Sequence, residues 1–440
     1  MLDREPLIIV GSSVRAAAQS AHQAGFAPWC IDQFADRDLV EVSKEATTVA
    51  DWPNGIGSAF ETTPDAAWLY TGALENSPAL IDRLAEMRTL LGCDSETLIR
   101  LRNPAWLAQT LSKASLPNLP IFMPNSSDQS TLPVSSSENG HQNFEWMAKP
   151  LVSAGGLDVR DFDGTVAKWD DREGNFLQKR VSGRVVSGLY FGSGSSARLL
   201  GMSEQLCRGS EAGEFSYVYS GSLGPLSADD MPATTFQQAQ RVGSAIVKAI
   251  NSDDLYIRGL FGIDFVLDNK NGDLWTLEVN PRYTASAELY EREFGWPLVA
   301  WHVDACRQNG IPTREQRGGP SLTLRDTSSH AVATKPSHKH GKLIVYARQN
   351  FTAPDIVHLV EQFKSPSVLS DAPSSIKMRQ DAPGDNSRIT VADIPRIGMA
   401  IGKDEPVCTL LTKQQSSTNC HSQLTTAADA LLTLIDRTSW

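Results

Sequence analysis

The stretch GLFGIDFVLDNKNGDLWTLEVNPR, residues 259–282, decides the fold of the central part of the chain. Two segments in which apolar and polar residues alternate flank an Asn-Gly dipeptide at 271–272, which favours the tight turn of a β-hairpin. With the turn centred near position 271, Asp264 lies opposite Glu278. Because side chains alternate along a strand, Asn280 shares the face of Glu278. The residues predicted to bury the other face are Ile263, Phe265, Leu267, Trp275, Leu277 and Val279.

Two opposed carboxylates give this hairpin its chemical character. Facing side chains lie about 5 Å apart, and like charges at that distance repel unless a cation lies between them. Mg²⁺ is such a cation, since it prefers one or two carboxylates together with substrate phosphates and water. The sequence therefore predicts a magnesium site at Asp264 and Glu278. The open alternative is a half-buried hairpin whose polar face simply meets solvent.

A second motif is FEWMAKPLVSAGGLDVRDFDG, residues 144–164. An apolar strand that carries Lys149 runs into a small-residue loop formed by Ser153, Ala154, Gly155 and Gly156. The backbone N–H groups of such a loop can approach phosphate oxygens closely, and the lysine is placed to neutralise phosphate charge. The alternative is a hairpin with a surface lysine and a glycine turn.

A third motif is GNFLQKRVSGRVVSGLYFGSG, residues 174–194. Residues 176–181 are predicted to form a strand that leads through Ser182 and Gly183 into another strand. The glycines at 192–194 are interpreted as a hairpin loop, because a strand and not a helix follows them. GMAIGKDE, which begins at position 398, is no phosphate-binding P-loop, because its spacing is one residue short and no Ser or Thr follows the lysine.

Composition narrows the class of protein. The chain has 440 residues, 41% of them hydrophobic and 21% charged, with a net charge of −11 and no basic stripe, which disfavours a nucleic-acid partner. No apolar run approaches the roughly 20 residues of a membrane span, and the start of the chain does not resemble a secretory signal. The cysteines form no C-x-x-C pair, which argues against a zinc site and a disulfide framework and favours a reducing cytoplasm. They are Cys30, Cys93, Cys207, Cys306, Cys408 and Cys420.

Four segments are predicted from the pattern of elements. Residues 1–98 alternate strand and helix and predict a small α/β domain. Residues 99–310 carry the motifs above, with a polar insertion near 123–143 that is predicted to be disordered. A polar linker over 311–340 precedes a β-rich module at 341–440, which ends in a helix.

Taken in order, Lys149, the SAGG loop, FLQKRV, GIDF and LEVNPR resemble the ATP-grasp superfamily over roughly residues 1–310. The resemblance implies a fold that combines α/β and α+β parts. An N-terminal α/β domain precedes a core of two α+β subdomains that hold ATP between them, and a small β-rich module follows. It also implies small-molecule substrates and leaves a homodimer open.

The resemblance assigns a role to each motif. Lys149 would contact the α- and β-phosphates of ATP, and residues 153–156 would form the mobile loop over the γ-phosphate. Arg282 would steady an acyl phosphate and the tetrahedral intermediate. The hinge that meets adenine through backbone groups would be Gln178, Lys179, Arg180 and Val181. The ligands of Mg²⁺, or of Mn²⁺ in its place, would be Asp264, Glu278 and Asn280.

Two departures from the family pattern concern the nucleotide. An acidic residue usually stands in the hinge where this chain has Lys179 or Arg180, and no acid follows in SGRVVSG to hold the ribose hydroxyls. An earlier family lysine is missing from LIRLRNPAWLAQTL, where Arg100 or Arg102 is available as the cation. These departures leave nucleotide affinity and base preference open.

The implied function is an ATP- and Mg²⁺-dependent ligase that joins a carboxylate to an amine and releases ADP and phosphate. The alternatives are a nonenzymatic ATP-binding scaffold and an ATP-dependent small-molecule kinase. LLGMSEQL, FSYVYSGSLGPL, LEVNPRYTASAELYE and DIPRIGMAIGKDEPVCTLL resemble a group linked to one-carbon metabolism through tetrahydromethanopterin and methanofuran, one of whose members joins glutamate to tyramine. Tyr217, Pro225 and Tyr283 are interpreted as acceptor-pocket or packing residues. No histidine is assigned a catalytic role.

Overall fold

The computed structural model describes residues 4–123, 146–162, 174–208, 217–307, 335–362 and 388–438. The predicted disordered insertion and most of the predicted linker therefore lie outside the described residues. No helix in these ranges is both long and apolar enough to cross a membrane.

The chain begins with a parallel four-stranded sheet in the order β3-β2-β1-β4. Its strands are β1 (Glu5–Val10), β2 (Phe26–Asp32), β3 (Glu45–Thr48) and β4 (Trp68–Tyr70). Its helices are α1 (Arg15–Gln23), α2 (Arg37–Val42), α3 (Ile56–Glu61) and α4 (Pro78–Met87). Four consecutive residues of β1 are buried, as expected for a parallel strand covered on both faces.

A small antiparallel sheet in the order β5-β8-β6-β7 follows. Its strands are β5 (Ile121–Phe122), β6 (Trp146–Pro150), β7 (Arg160–Phe162) and β8 (Asn175–Lys179). Two helices precede it, α5 (Ser95–Leu101) and α6 (Pro104–Lys113). Asp94 and Asn103 start these helices by accepting backbone N–H groups of the first turn. The sheet carries the lysine and hinge motifs on adjacent strands, β6 and β8.

An antiparallel eight-stranded sheet in the order β13-β12-β9-β10-β11-β14-β18-β16 forms the centre of the protein. Five of its strands come from the predicted core: β9 (Gly183–Ser193), β10 (Ala197–Cys207), β11 (Tyr219–Gly224), β12 (Arg258–Asp268) and β13 (Leu274–Asn280). The helices of this part are α7 (Ala233–Asn251), α8 (Ala287–Phe294) and α9 (Leu298–Arg307). β9 and β10 pair directly, which confirms the predicted hairpin, and Gly194 lies in its connection. Gly192 was also predicted to lie in the loop but is still a paired residue of β9.

The C-terminal segment continues this sheet. Its strands are β14 (Lys339–Tyr346), β16 (Thr390–Ala392) and β18 (Pro406–Gln414). β18 pairs with β14 and with β16, and β14 pairs with β11. A second small sheet pairs β15 (Phe351–Thr352) with β17 (Ala400–Ile401), and the helices are α10 (Ile356–Gln362) and α11 (Ser417–Thr438). The segment has its own apolar core but shares the central sheet. The linker was predicted to extend to residue 340, but β14 already begins at Lys339, and both Lys339 and His340 are buried.

The hairpin of β12 and β13 pairs Asp264 with Glu278, as predicted. The register then shifts, so that Phe265 pairs with Thr276 and Leu277 is the extra residue of a β-bulge. Leu274 and Thr276 are therefore buried, and the prediction that Trp275 and Leu277 fill the buried face was wrong. The simple alternation of side chains ends at the bulge, and Leu277 lies instead at the wall of a cavity.

Candidate functional site

A cavity of about 560 Å³ lies between the small sheet and the central sheet. Its volume falls within the range typical of small-molecule sites. The predicted site residues all line it: Lys149, Ser153, Ala154, Gly155, Gly156, Gln178, Lys179, Arg180, Val181, Asp264, Glu278, Asn280 and Arg282. Segments up to about 130 residues apart in sequence thus converge on one space.

The candidate metal ligands form a hydrogen-bonded group at the ends of β12 and β13. The side-chain amide of Asn280 donates to Asp264 at 2.9 Å and to Glu278 at 3.2 Å. Gln205 Nε2 donates to the other oxygen of Asp264 at 2.6 Å. The positive end of an amide dipole thus occupies the place between two carboxylates where a cation would bind.

This donor set fits Mg²⁺ better than a softer metal. It consists of carboxylate and amide oxygens, which are hard ligands, and rotation of the Asn280 amide would add its oxygen to theirs. No group of three or more His, Cys, Asp or Glu side chains suited to a metal occurs in the described ranges. A cation held by Asp264 and Glu278 would therefore need further oxygens, as Mg²⁺ obtains from phosphates and water.

The two carboxylates differ in their protonation chemistry. Burial raises the pKa of Asp264, and the neighbouring Glu278 carboxylate raises it further. The Glu278 side chain is exposed to the cavity, but the protein around it still opposes its charge by desolvation. The positive charges of Lys149 and Arg102 outweigh this and leave the pKa of Glu278 below its ordinary value. Glu278 therefore favours its negatively charged form, whereas the charged form of Asp264 would be stabilised by a bound cation.

Lys149 projects from β6 into the cavity. Its ammonium group donates to Gln178 Oε1 at 3.2 Å and lies 5.8 Å from the centre of the Phe176 ring. Burial lowers the pKa of Lys149, while the carboxylates of Glu278 and Asp264 oppose that shift. The lysine thus faces the candidate metal site from the opposite sheet.

Of the two arginines considered in place of the missing family lysine, Arg102 lies at the cavity. Its guanidinium lines the cavity and donates at 2.8 Å both to the carbonyl oxygen of Ser153 and to Asn76 Oδ1. Arg100, the other candidate, points to the surface and pairs with Asp253 at 3.3 Å. The sequence could not separate the two arginines, because the choice depends on how α5 packs.

The loop of residues 153–156 contacts the first residue of β11. The backbone N–H of Tyr219 donates to the carbonyl oxygen of Gly155 at 2.8 Å. Gly156 has φ +77°, and a Cβ atom there would lie 2.0 Å from the carbonyl oxygen of Tyr217. Only glycine permits this close approach, which brings the loop against the wall of the cavity.

The hinge joins the two sheets. Gln178 is buried, and the backbone N–H of Lys179 donates to the carbonyl oxygen of Pro120 at 2.9 Å. Arg180 reaches back toward β7, where its guanidinium lies 3.8 Å from Asp161. Asp161 also accepts a hydrogen bond from the hydroxyl of Tyr217. Arg180 thus links the hinge to the strand that follows the glycine loop.

Arg282 lies two residues after the end of β13 and lines the cavity. Its Nε donates to Glu75 Oε1 at 2.7 Å, although Glu75 belongs to the N-terminal part of the chain. No local pattern in the sequence indicated this pairing, because the two residues are 207 positions apart. The wall beyond Arg282 is rich in hydroxyl groups and was also missed: Tyr219, Ser222, Thr284 and Ser286.

The three residues considered for an acceptor pocket do not lie in one place. Tyr217 lines the cavity, whereas Pro225 and Tyr283 are not among the residues that line it. Tyr283 is buried and donates its hydroxyl to Glu291 at 2.7 Å, so it is a packing residue. His302 is likewise a packed residue, whose Nδ1 accepts the backbone N–H of Leu260 at 2.9 Å.

The two sheets with a cavity between them form an ATP-grasp fold. The ATP-grasp domain family matches residues 109–286, which include the small sheet, the hinge and the hairpin. No curated protein sequence matches the chain.

Three solved structures have a fold similar to that of this chain. The biotin carboxylase of Campylobacter jejuni, in complex with β-γ-ATP, has a TM-score of 0.64 and 13% identity, over 99% of this chain and 95% of that one. The L-amino acid ligase of Bacillus licheniformis has a TM-score of 0.61 and 14% identity, over 97% and 98%. The N5-carboxyaminoimidazole ribonucleotide synthetase of Thermotoga maritima has a TM-score of 0.61 and 12% identity, over 97% and 98%. Identities this low establish the fold alone.

Replacing Gly156 with alanine tests the docked loop. The new Cβ would collide with the backbone of Tyr217, so we expect the loop to lift and nucleotide-dependent thermal stabilisation to require roughly tenfold more ATP, a change of about 1.4 kcal/mol. Gly155→Ala is the matched control, because Gly155 also has positive φ but a Cβ there meets nothing within 4 Å. Equal effects of the two substitutions would show that backbone strain matters and the close approach does not.

Proposed function

We propose that this protein is an ATP- and Mg²⁺-dependent ligase that joins a carboxylate to an amine. The observation that carries the proposal is the opposition of Asp264 and Glu278 within one cavity that also holds Lys149, Arg102 and Arg282. Phosphoryl transfer requires mainly positioning and charge neutralisation, and this group of charges supplies both. The similar folds of an L-amino acid ligase and of a ribonucleotide synthetase support the same class of reaction.

The residues around the cavity divide the work of phosphoryl transfer. Lys149 and Arg102 neutralise the phosphates, and the loop of residues 153–156 covers the γ-phosphate. Asp264, Glu278 and Asn280 would hold Mg²⁺, which would supply positive charge to neutralise the phosphate oxygens. Gln178, Lys179, Arg180 and Val181 line the adenine end of the cavity.

The proposed reaction has two steps, and both take place in the same cavity. A substrate carboxylate oxygen attacks the γ-phosphorus, ADP leaves, and an acyl phosphate forms. The amine then attacks the acyl carbon, its nitrogen gives up a proton to the departing phosphate, and inorganic phosphate leaves as the amide forms. Arg282 stabilises the negative charge of the acyl phosphate and of the tetrahedral intermediate, because its guanidinium lies at the cavity wall beside the metal ligands. The docked loop limits access of water, which would hydrolyse the intermediate.

The acceptor end of the cavity selects the substrates. It combines Arg282, suited to a carboxylate, with the hydroxyl groups of Tyr219, Ser222, Thr284 and Ser286. The resemblance to the group linked to tetrahydromethanopterin and methanofuran makes glutamate and tyramine the first pair to test. A homodimer and a location in the reducing cytoplasm complete the proposal, the latter because all six cysteines are free.

Glu278→Gln tests the metal assignment. The change removes one negative charge with almost no change in volume, so the fold should persist while Mg²⁺-dependent stabilisation by ATP is lost. A ligand at 100 times its Kd stabilises a folded protein by about 2.7 kcal/mol, which thermal unfolding resolves easily. Glu204→Gln is the control, since Glu204 pairs with Arg184 outside the cavity. A Glu278→Gln protein that keeps the full Mg²⁺-dependent shift would remove the metal assignment.

Arg282→Ala tests the ligase reaction itself. Carboxylates and amines, beginning with glutamate and tyramine, are screened for ADP release that requires both substrates. With the active pair, we expect kcat to fall by roughly 10²–10³-fold and the KM for ATP to change little, because the guanidinium acts on charge formed during the reaction. Arg100→Ala, which removes an arginine at the surface, should leave both unchanged. Stable phosphorylated product without amide would favour a kinase, and nucleotide binding without turnover would favour a scaffold.

A further inference from the structure

Glu75 is a buried carboxylate that the N-terminal part of the chain contributes to the edge of the cavity. It lies in a short 3-10 helix, Leu74–Asn76, that follows β4. Its side chain is 0% exposed, so it does not itself meet a ligand in the cavity. A carboxylate in such a place is unfavourable unless cations pair with it.

Two arginines of the site supply those cations. Glu75 Oε1 accepts the hydrogen bond of Arg282 Nε at 2.7 Å and lies 3.9 Å from a terminal nitrogen of Arg102. The second oxygen, Oε2, is buried and has no hydrogen-bond partner among the described residues. Glu75 thus faces the two arginines that border the candidate phosphate and metal site.

Arg282 also lies next to the candidate metal ligands. One of its terminal nitrogens is 3.4 Å from Asn280 Oδ1, and the amide of Asn280 donates to both Asp264 and Glu278. An arginine pairs strongly with carboxylates through its two terminal nitrogens. A guanidinium free to turn toward Asp264 and Glu278 would neutralise them and occupy the place of the cation.

The contacts of Arg282 show what prevents this. Its Nε, the one nitrogen inside the side chain, is held by Glu75. Within the described part of the chain, the two terminal nitrogens make longer contacts, each of 3.4 Å, to Tyr283 and Asn280. Gly72 lies beside the guanidinium, since a Cβ added there would come within 3.6–3.8 Å of its atoms. The guanidinium is therefore anchored on the N-terminal side, and one terminal nitrogen lies near the cavity residue Asn280.

We propose that Glu75 is a positioning residue that gives Arg282 an anionic partner outside the metal site. It keeps the guanidinium at the cavity wall, where it can meet a developing negative charge, and keeps it off Asp264 and Glu278. Without Glu75, Arg282 competes with Mg²⁺ for these two carboxylates. This inference rests on the proposed nucleotide and metal site.

The test measures how much Mg²⁺ is needed for ADP to raise the unfolding temperature, with ADP fixed so that no turnover occurs. Four variants are compared with the wild-type protein: Glu75→Gln, Arg282→Met, the double variant, and Glu204→Gln. Glu204 is the matched control, because its carboxylate accepts from Arg184 Nε at 2.9 Å but the pair does not line the cavity. Each shift is measured against the unfolding temperature of the same variant without ligand.

We expect Glu75→Gln to need roughly tenfold more Mg²⁺, because a competing positive charge within a few ångströms changes binding by about that factor. The double variant should return to the requirement of Arg282→Met, since the competing guanidinium is gone. Glu204→Gln should match the wild-type protein. If Glu75→Gln folds poorly, Glu75→Asp replaces it, because the shorter side chain draws the carboxylate away from Arg282. It should need more Mg²⁺ than the wild-type protein, and adding Arg282→Met should remove the excess.

The outcomes separate this inference from the proposed function. If the wild-type protein responds to Mg²⁺ and ADP but Glu75→Gln needs no additional Mg²⁺, the positioning role is refuted and the nucleotide site stands. A double variant as impaired as Glu75→Gln also refutes it, because the loss would then come from general damage to the fold. Failure of the wild-type protein to respond overturns the proposed function and this inference together.

Discussion

The placement of two like charges opposite each other, Asp264 and Glu278, is the constraint on which the rest of the site depends. Strand pairing fixes their separation, because both residues lie on adjacent strands in register. Hydrogen-bond donors and positive charges around the two carboxylates reduce their repulsion. Asn280 and Gln205 donate hydrogen bonds, and the charges of Lys149 and Arg102 act on Glu278. A divalent cation would complete the same balance, which is why the geometry supports a metal-dependent phosphoryl transfer.

The site is assembled from parts that are far apart in the chain. The small sheet contributes Lys149 and the glycine loop, the central sheet contributes the carboxylates, and the N-terminal part contributes Glu75. The C-terminal strands act from further away. Lys342 of β14 donates to Glu288 at 3.0 Å and lies 3.4 Å from the carbonyl oxygen of Ala285, which lines the cavity.

A buried network of charges extends this connection. Arg15 of α1 donates to Glu288 at 2.6 Å and to Asp393 of the C-terminal segment at 2.9 Å. Removing one partner of such a buried pair is strongly destabilising, typically by about 3–5 kcal/mol, because it leaves an uncompensated charge. The network therefore fixes the acceptor end of the cavity relative to both ends of the chain, and substitutions there are expected to act on the site indirectly.

The sequence predicted those features that depend on short-range patterns. Alternation and the Asn-Gly turn predicted the pairing of Asp264 with Glu278, and the structure brings Lys149 and the glycine loop into the same cavity. The bulge at Leu277 was missed, because one extra residue changes the buried face without changing the composition of the strand. Glu75 was missed, and Arg102 could not be told from Arg100, because both depend on packing between distant segments.

The most direct test of the central claim is to locate the cation itself. Crystals grown with ADP and Mn²⁺, which scatters X-rays anomalously, would show the metal independently of the protein density. The account predicts an anomalous peak bonded to oxygens of both Asp264 and Glu278 and to a phosphate oxygen of ADP, with the adenine near the hinge. ADP bound in the cavity with no metal at these carboxylates, or a metal bound elsewhere, would contradict it.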